Sequence, residues 1–203
     1  MKKAPHPPRS ASLILIASLL VSHSGIAGPF GFEMGTSAAD LQKQLQLQQK
    51  KPWMFQTSAA PQSHPDFQTY TLLVTPDHGL CKVSAVSRSI NTSAYGTELV
   101  SEFDNLEKAL VTKYGQSSKR FDQLLPGSIW RESRYWMMGL IKKERLLAAY
   151  WTNKEPAMPD NIASIKLEAH AYAADGGLIS LTYEFSNVKA CLPWIGSQEN
   201  SAL

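Results

Sequence analysis

Hydrophobic and polar residues alternate most regularly between Ile162 and Ser186. Ala163, Ile165, Leu167, Ala169 and Ala171 are interleaved with Ser164, Lys166, Glu168, His170 and Tyr172, the period-two pattern of a half-buried strand. Beyond Asp175-Gly176-Gly177, Ile179, Leu181, Tyr183 and Phe185 alternate with Ser180, Thr182, Glu184 and Ser186, so the segment predicts a hairpin with its odd-numbered side chains on the core. Opposed residues share a face, which favours a three-residue loop of Asp175, Gly176 and Gly177 over a two-residue Gly176-Gly177 loop. That register pairs Ala171 with Leu181, Ala169 with Tyr183 and Leu167 with Phe185. On the outer face it sets Glu168 opposite Glu184 and His170 opposite Thr182.

Earlier in the chain the same signals predict further elements. Gly28 to Gly35 reads as an extended lead-in docked by its aromatic residues, and Thr36 or Ser37 caps a short helix carrying Leu41 and Leu45, ended by Pro52. Gln46 to Pro65, rich in Gln, Ser and Pro, reads as loop. Phe67 to Thr75 and Leu80 to Ile90 are strands about the turn Pro76-Asp77-His78-Gly79. Leu99, Phe103, Leu106, Leu110 and Tyr114 recur at helical spacing between a Thr97 cap and a Gly115 stop, with Asp104 and Lys108 paired on the solvent side. Gln116 to Arg131 reads as a connection, Ser133 to about Glu144 as an all-round apolar helix, Arg145 to Thr152 as a strand, and the tail after Cys191 as frayed. Runs of hairpin strands with helices between them predict a single α+β domain, an antiparallel sheet of about five strands with helices packed on one face.

The N-terminus changes how composition is read. Lys2, Lys3 and Arg9 precede an apolar run of eleven residues, Ala11 to Val21, followed by Gly25 and Ala27, the pattern of a secretory signal peptide cleaved near Ala27. The run is shorter than the ~20 residues of a membrane span, so no span is expected after cleavage. Cleavage removes three of the 20 basic residues and none of the 17 acidic ones, leaving residues 28–203 with 17 of each and a formal charge of zero. A neutral chain without a basic run offers no footprint for nucleic acid. Both cysteines, Cys81 and Cys191, lie in this part, and an even count in an oxidising compartment predicts a disulfide between them.

The chain resembles a group of small exported bacterial proteins of unknown function. The resemblance is carried by Pro29-Phe30-Gly31-Phe32-Glu33-Met34-Gly35, Gly79-Leu80-Cys81, Tyr95-Gly96-Thr97-Glu98-Leu99, Trp136-Met137-Met138 and Tyr183-Glu184-Phe185 with Cys191. It implies export and one domain, and it implies no activity. More loosely, the layout is similar to envelope proteins and secreted inhibitors that lay two helices on a four-stranded sheet.

Three groups are candidates for chemistry. Glu168, Glu184 and His170 form an exposed acidic patch in the expected register, where opposed carboxylates would suit acid-base work, glycan hydrolysis in the boldest version. His64 with Asp66, and Asp77 with His78, look like ligand pairs. They flank one strand of about ten residues, roughly 30 Å at about 3.3 Å per residue, too far apart for one ion, so no metal site is expected. Trp130, Trp136, Met137 and Trp151 would line an apolar cleft for a hydrophobic ligand or a partner side chain, against the alternative that they are ordinary core. No Gly-x-Ser-x-Gly elbow, phosphate-binding glycine loop or cofactor motif occurs. The expectation is an exported binding or accessory protein of the envelope, inhibitor-like or adaptor, without catalysis and without a cofactor. Its partner would be an envelope protein or a small apolar ligand, and the alternative is a small hydrolase using Glu168 and Glu184.

Overall fold

A computed structural model describes Met1 and residues 28–152 and 156–200; apart from Met1, the expected signal peptide lies outside the described residues. The helices are α1 (Ala38–Gln44), α2 (Thr97–Tyr114), α3 (Trp136–Ile141) and α4 (Val188–Asn200). The strands are β1 (Gln48–Lys51), β2 (Met54–Thr57), β3 (Phe67–Thr75), β4 (Gly79–Ser87), β5 (Ile90–Asn91), β6 (Lys119–Leu124), β7 (Arg145–Thr152), β8 (Ile162–Ala173) and β9 (Gly176–Phe185). They form one nine-stranded antiparallel sheet in the order β1-β2-β3-β4-β9-β8-β7-β6, with β5 also on β9. A helix followed by a four-stranded meander therefore occurs twice, about the central β4–β9 pair, although the sequence carries no visible repeat.

The sheet is wider than the five strands its pattern predicts. β1 is exposed at every position, β2 has four residues, and the edge strand β6 reads Lys-Arg-Phe-Asp-Gln-Leu, so none carries the long alternation that marks a strand. β3 and β7 have the predicted bounds, whereas the strand expected from Leu80 to Ile90 divides into β4 and β5, and the helix expected from Ser133 to about Glu144 is a 3-10 turn, Ser133–Tyr135, followed by α3.

One face of the sheet is apolar across its width. Phe55 stands beside Leu72, Leu72 beside Val83, Val83 beside Tyr183, Tyr183 beside Ile165 and Ile165 beside Trp151, all buried. α2 lays Leu99, Phe103, Leu106, Leu110 and Tyr114 on this face. Burial of each such large side chain contributes roughly 1.5–3 kcal/mol. The helix begins after Gly96, whose φ of 72° is left-handed and whose missing side chain leaves room for the Trp136 ring. Its N-terminus is capped by Thr92 rather than Thr97: the Thr92 hydroxyl accepts from the Glu98 N–H at 3.3 Å, and the Glu98 carboxylate accepts from the Ser93 N–H at 3.2 Å. Asp104 pairs across elements with Arg120 of β6 at 2.9 Å, not along the helix with Lys108, because Arg120 also reaches Glu107 and stacks on Phe103.

At the other end of the row the lead-in docks as its aromatic content predicts. The Phe30 ring meets Phe67, Tyr70 and Tyr183 edge-on, and Gly35 N–H donates to the Leu80 carbonyl at 2.9 Å. Of the two cap candidates α1 uses Ser37, with the Asp40 N–H donating to Ser37 Oγ at 3.1 Å and the Ser37 hydroxyl donating back to the Asp40 carboxylate.

The β8–β9 hairpin keeps the expected parity in a different register. Ile165 pairs with Tyr183, Leu167 with Leu181 and Ala169 with Ile179, four residues from the predicted alignment. The chain turns through Ala174 and Asp175, and a bulge at Tyr172 restores the parity that so short a loop would otherwise break. Gly176 and Gly177 lie inside β9, where a side chain on either would run into Tyr172 or Leu99, so their role is close approach and not the turn. A second irregularity beside Ala163 leaves it exposed and turns Ile162 inward.

A third bulge sets the opposite face. Leu73 pairs with Lys82 and Val74 with Leu80, so Cys81 is the extra residue of β4. Without the bulge Cys81 would share the inward parity of Val83; with it, Cys81 points to the outer face and bonds Cys191 of α4. Cys191 and Ile195 pack there with Trp53, Met54 and Leu73. Asn187 donates to the carbonyls of His78 and Leu80 at 2.9 and 3.1 Å. The helices thus lie on both faces, and the expected frayed tail is α4 through Asn200, tied down by the disulfide. That bond is the one an oxidising compartment favours. Among the described residues no helix is long and apolar enough to cross a membrane.

The disulfide closes a loop with a sequence separation of 110. Replacing both cysteines with alanine is expected to lower unfolding free energy by about 4 to 5 kcal/mol on the chain-entropy account. Urea denaturation of oxidised wild type and double variant measures this, and a loss under about 1 kcal/mol would mean the reduced chain already holds that loop closed.

Candidate functional site

The outer face of the central strands carries paired polar groups. Lys82 meets Glu184 at 3.2 Å, the Ser164 hydroxyl donates to Glu184 at 2.9 Å, Ser84 and Thr182 lie 3.0 Å apart, and Lys166 pairs with Glu168. The observed register overturns the expected carboxylate contact: Glu168 lies opposite Ser180, and Glu184 opposite Ser164. Four residues of strand separate the two positions, roughly 13 Å. Paired glycosidase carboxylates stand about 5–9.5 Å apart, so the geometric basis for a Glu168/Glu184 hydrolase is gone.

His170 lies opposite Leu178, with Nε2 at 2.9 Å from Ser180 Oγ and 3.5 Å from Glu168 Oε2. Glu, His and Ser in contact suggest a nucleophilic relay, but such a relay needs hydroxyl and carboxylate on different ring nitrogens, so that the acid orients the base while the base takes the proton. Here both crowd one nitrogen. The cluster holds the ring in place and lacks the geometry to activate Ser180.

The same residues border an amphipathic cavity. Pairing of β7 with β8 ends at Ala148 and Glu168, beyond which β8 runs on with β9 alone while α3 packs over the gap. The result is a cavity of about 360 Å³ with apolar walls from Leu140, Ile141, Leu146 and Leu147. Its polar groups are Lys143, Arg145, Glu168 and His170. A few polar groups converging on an apolar hollow of this size is the usual form of a small-molecule site.

Lys143 reaches this position through an unusual backbone. α3 ends with the Glu144 N–H donating to the Gly139 carbonyl at 2.9 Å and the Lys143 N–H to the Leu140 carbonyl at 3.0 Å. This is a Schellman stop, in which the residue at Lys143 must be left-handed and is most often Gly. Lys143 has φ 57°, a conformation that costs a residue with a Cβ roughly 1–2 kcal/mol. Arg145 is held between Trp136, whose ring centroid lies 5.4 Å from the guanidinium, and Asp122 at 3.5 Å, and its buried Nε has no hydrogen-bond partner among the described residues.

The four apolar candidates do not converge on one cleft. Met137 and Trp151 are fully buried core, with the Trp151 indole donating to the Gly115 carbonyl at 2.7 Å. Trp136 is half-buried against Gly96 and Arg145, and Trp130 meets Tyr135 edge-on at 5.6 Å. Trp151 stands six residues along β7 from Arg145, roughly 20 Å. Around α3 the exposed apolar residues are instead Tyr95, next to Gly96, and Ile129, next to Trp130, 55% and 76% exposed. His64 pairs with Asp66 at 3.4 Å, and among the described residues no three His, Cys, Asp or Glu side chains converge as a metal site would need.

Lys143 and Arg145 carry no mark in the sequence, since Lys142-Lys143-Glu144 reads as the end of a helix and Arg145 as the first residue of a strand. The one available signal is the absence of Gly after α3, where a stop is required. Comparison with protein-family models, with curated proteins and with solved structures gave no match.

Burial lowers the His170 pKa from its ordinary 6.5; the Glu168 carboxylate opposes this, and Lys166 and Lys143 add to it. The unfolded chain therefore takes up this proton first on acidification, and the contribution to stability is lost as pH falls from 6.5 through the folded value. NMR titration of the His170 ring is expected to give a midpoint under 6.5 that falls further in Glu168→Gln. A midpoint that rises in the variant would contradict the assigned contacts.

Proposed function

We propose that the protein is an exported binding or accessory protein of the cell envelope, acting as an adaptor or inhibitor-like partner of another envelope protein, without catalysis. The observation that carries this reading is the surface around α3. Tyr95 and Ile129 project from loops that are themselves fixed: the Met137 N–H donates to the Ala94 carbonyl at 3.1 Å, and the Trp130 N–H to Ser128 Oγ at 3.2 Å. Arg134 stacks on Tyr135, with the guanidinium 4.9 Å from the ring centroid. Tyr, Trp and Arg on a rigid support are the residues that dominate binding energy at protein interfaces.

Support for export comes from two independent features, the leader pattern of residues 1–27 and the Cys81–Cys191 bond. The resemblance to small exported bacterial proteins belongs to the same reading. The neutral charge of residues 28–203 suits a partner recognised by shape and aromatic contact more than by long-range attraction.

Tyr95→Ser with Ile129→Ser removes both exposed side chains and leaves the core intact. Immobilised disulfide-bonded protein should retain one partner at stoichiometric yield from envelope extract of the parent organism, and the double variant should retain it at least about tenfold less well. Retention unchanged in the variant, or no stoichiometric partner for the wild type, would overturn the reading.

A further inference from the structure

The cavity beneath α3 is a separate feature from the exposed aromatic surface, and its chemistry is narrower. Its cationic groups are Lys143 and Arg145 and its anionic group is Glu168; Asp122 already meets Arg145 and Lys166 already meets Glu168, so with these partners three cations stand against two anions and one net positive charge remains beside walls of leucine and isoleucine, while burial disfavours the charged form of His170. A site of this kind is matched by one negative charge on an apolar body. A dianion would meet the Glu168 carboxylate, and a neutral apolar molecule would leave Lys143 without an acceptor among the described residues.

We propose that this cavity binds a small amphipathic monoanion, a carboxylate on a short aliphatic or aromatic tail, with the carboxylate between Lys143 and Arg145 and the tail against Leu140, Leu146 and Leu147. Two further observations point to a ligand. Lys143 occupies the left-handed helix-stop position that favours Gly, and strain of this kind persists where the side chain has a task. The guanidinium of Arg145, which lines the same cavity, is held in place by Asp122 and Trp136. The volume of about 360 Å³ admits a small molecule and excludes a folded partner or an extended peptide. This inference does not rest on the partner-binding surface: Tyr95 and Ile129 take no part in it.

The strained position supplies a variant that separates folding from binding. Lys143→Gly relieves the backbone and removes the cation, and Lys143→Asn, also tolerant of the left-handed region, removes the cation alone. Calorimetric titration of the disulfide-bonded protein uses octanoate as probe, 1-octanol as its neutral counterpart and acetate as the anion without a body. Octanoate is expected to bind at least about tenfold more tightly than either control. Both variants should weaken octanoate at least about fivefold, with the Tm of Lys143→Gly equal to or above that of the wild type. The proposal is overturned if octanoate binds no better than 1-octanol or acetate, or if both variants bind it as the wild type does. The Tyr95/Ile129 double variant should bind octanoate normally, so failure of the aromatic surface and failure of the cavity are read separately.

Discussion

Six apolar side chains in register across six strands, from Phe55 to Trp151, require a cover, and shelter of that row under α2, α1 and the docked lead-in is the constraint on which the other features depend. Side chains alternate strictly along a strand, so this face stays continuous only if each departure from regular pairing preserves or deliberately reverses parity. The hairpin bulge at Tyr172 preserves it, keeping Leu167 and Leu181 inside despite a two-residue turn. The bulge at Cys81 reverses it for one residue.

That reversal explains why the molecule has structure on both sides of its sheet. A disulfide from an inward-pointing Cys81 would compete with Leu80 and Val83 for space in the main core. Turned outward, it anchors α4 against Trp53 and Leu73 and gives the far face a small core of its own. The central carboxylates of that face are met by lysines or hydroxyls on the same or neighbouring strands, an arrangement suited to water.

Much of this was legible in the chain and some was not, for identifiable reasons. β3, β7 and α2 carry enough periodic apolar residues to fix type and bounds, and the Cys81–Cys191 bond follows from an even count in a chain whose leader pattern predicts export. β1, β2 and β6 are short or exposed, so solvent, not packing, dictates their composition and the periodic signal vanishes. The hairpin register failed for a subtler reason: Asp175-Gly176-Gly177 has turn chemistry, yet its glycines are required where Tyr172 and Leu99 approach the backbone. A displacement of four residues leaves the core unchanged and separates Glu168 from Glu184, so the error fell wholly on the candidate site. The cavity itself was invisible, because it depends on where β7 and β8 part and on a left-handed lysine.

The account therefore joins a covered row, a pair of bulges and a gap between two strands into one arrangement, and the functional proposals inherit its register. Cross-strand Hα–Hα nuclear Overhauser effects in isotope-labelled protein test that register most directly. The account predicts that β9 partners for β8 obey the observed alignment, with Leu167 beside Leu181 and Ile165 beside Tyr183. Cross-peaks joining Leu167 to Phe185 and Ala169 to Tyr183 would contradict it, bring Glu168 and Glu184 together again, and remove the cavity's charge arrangement with them.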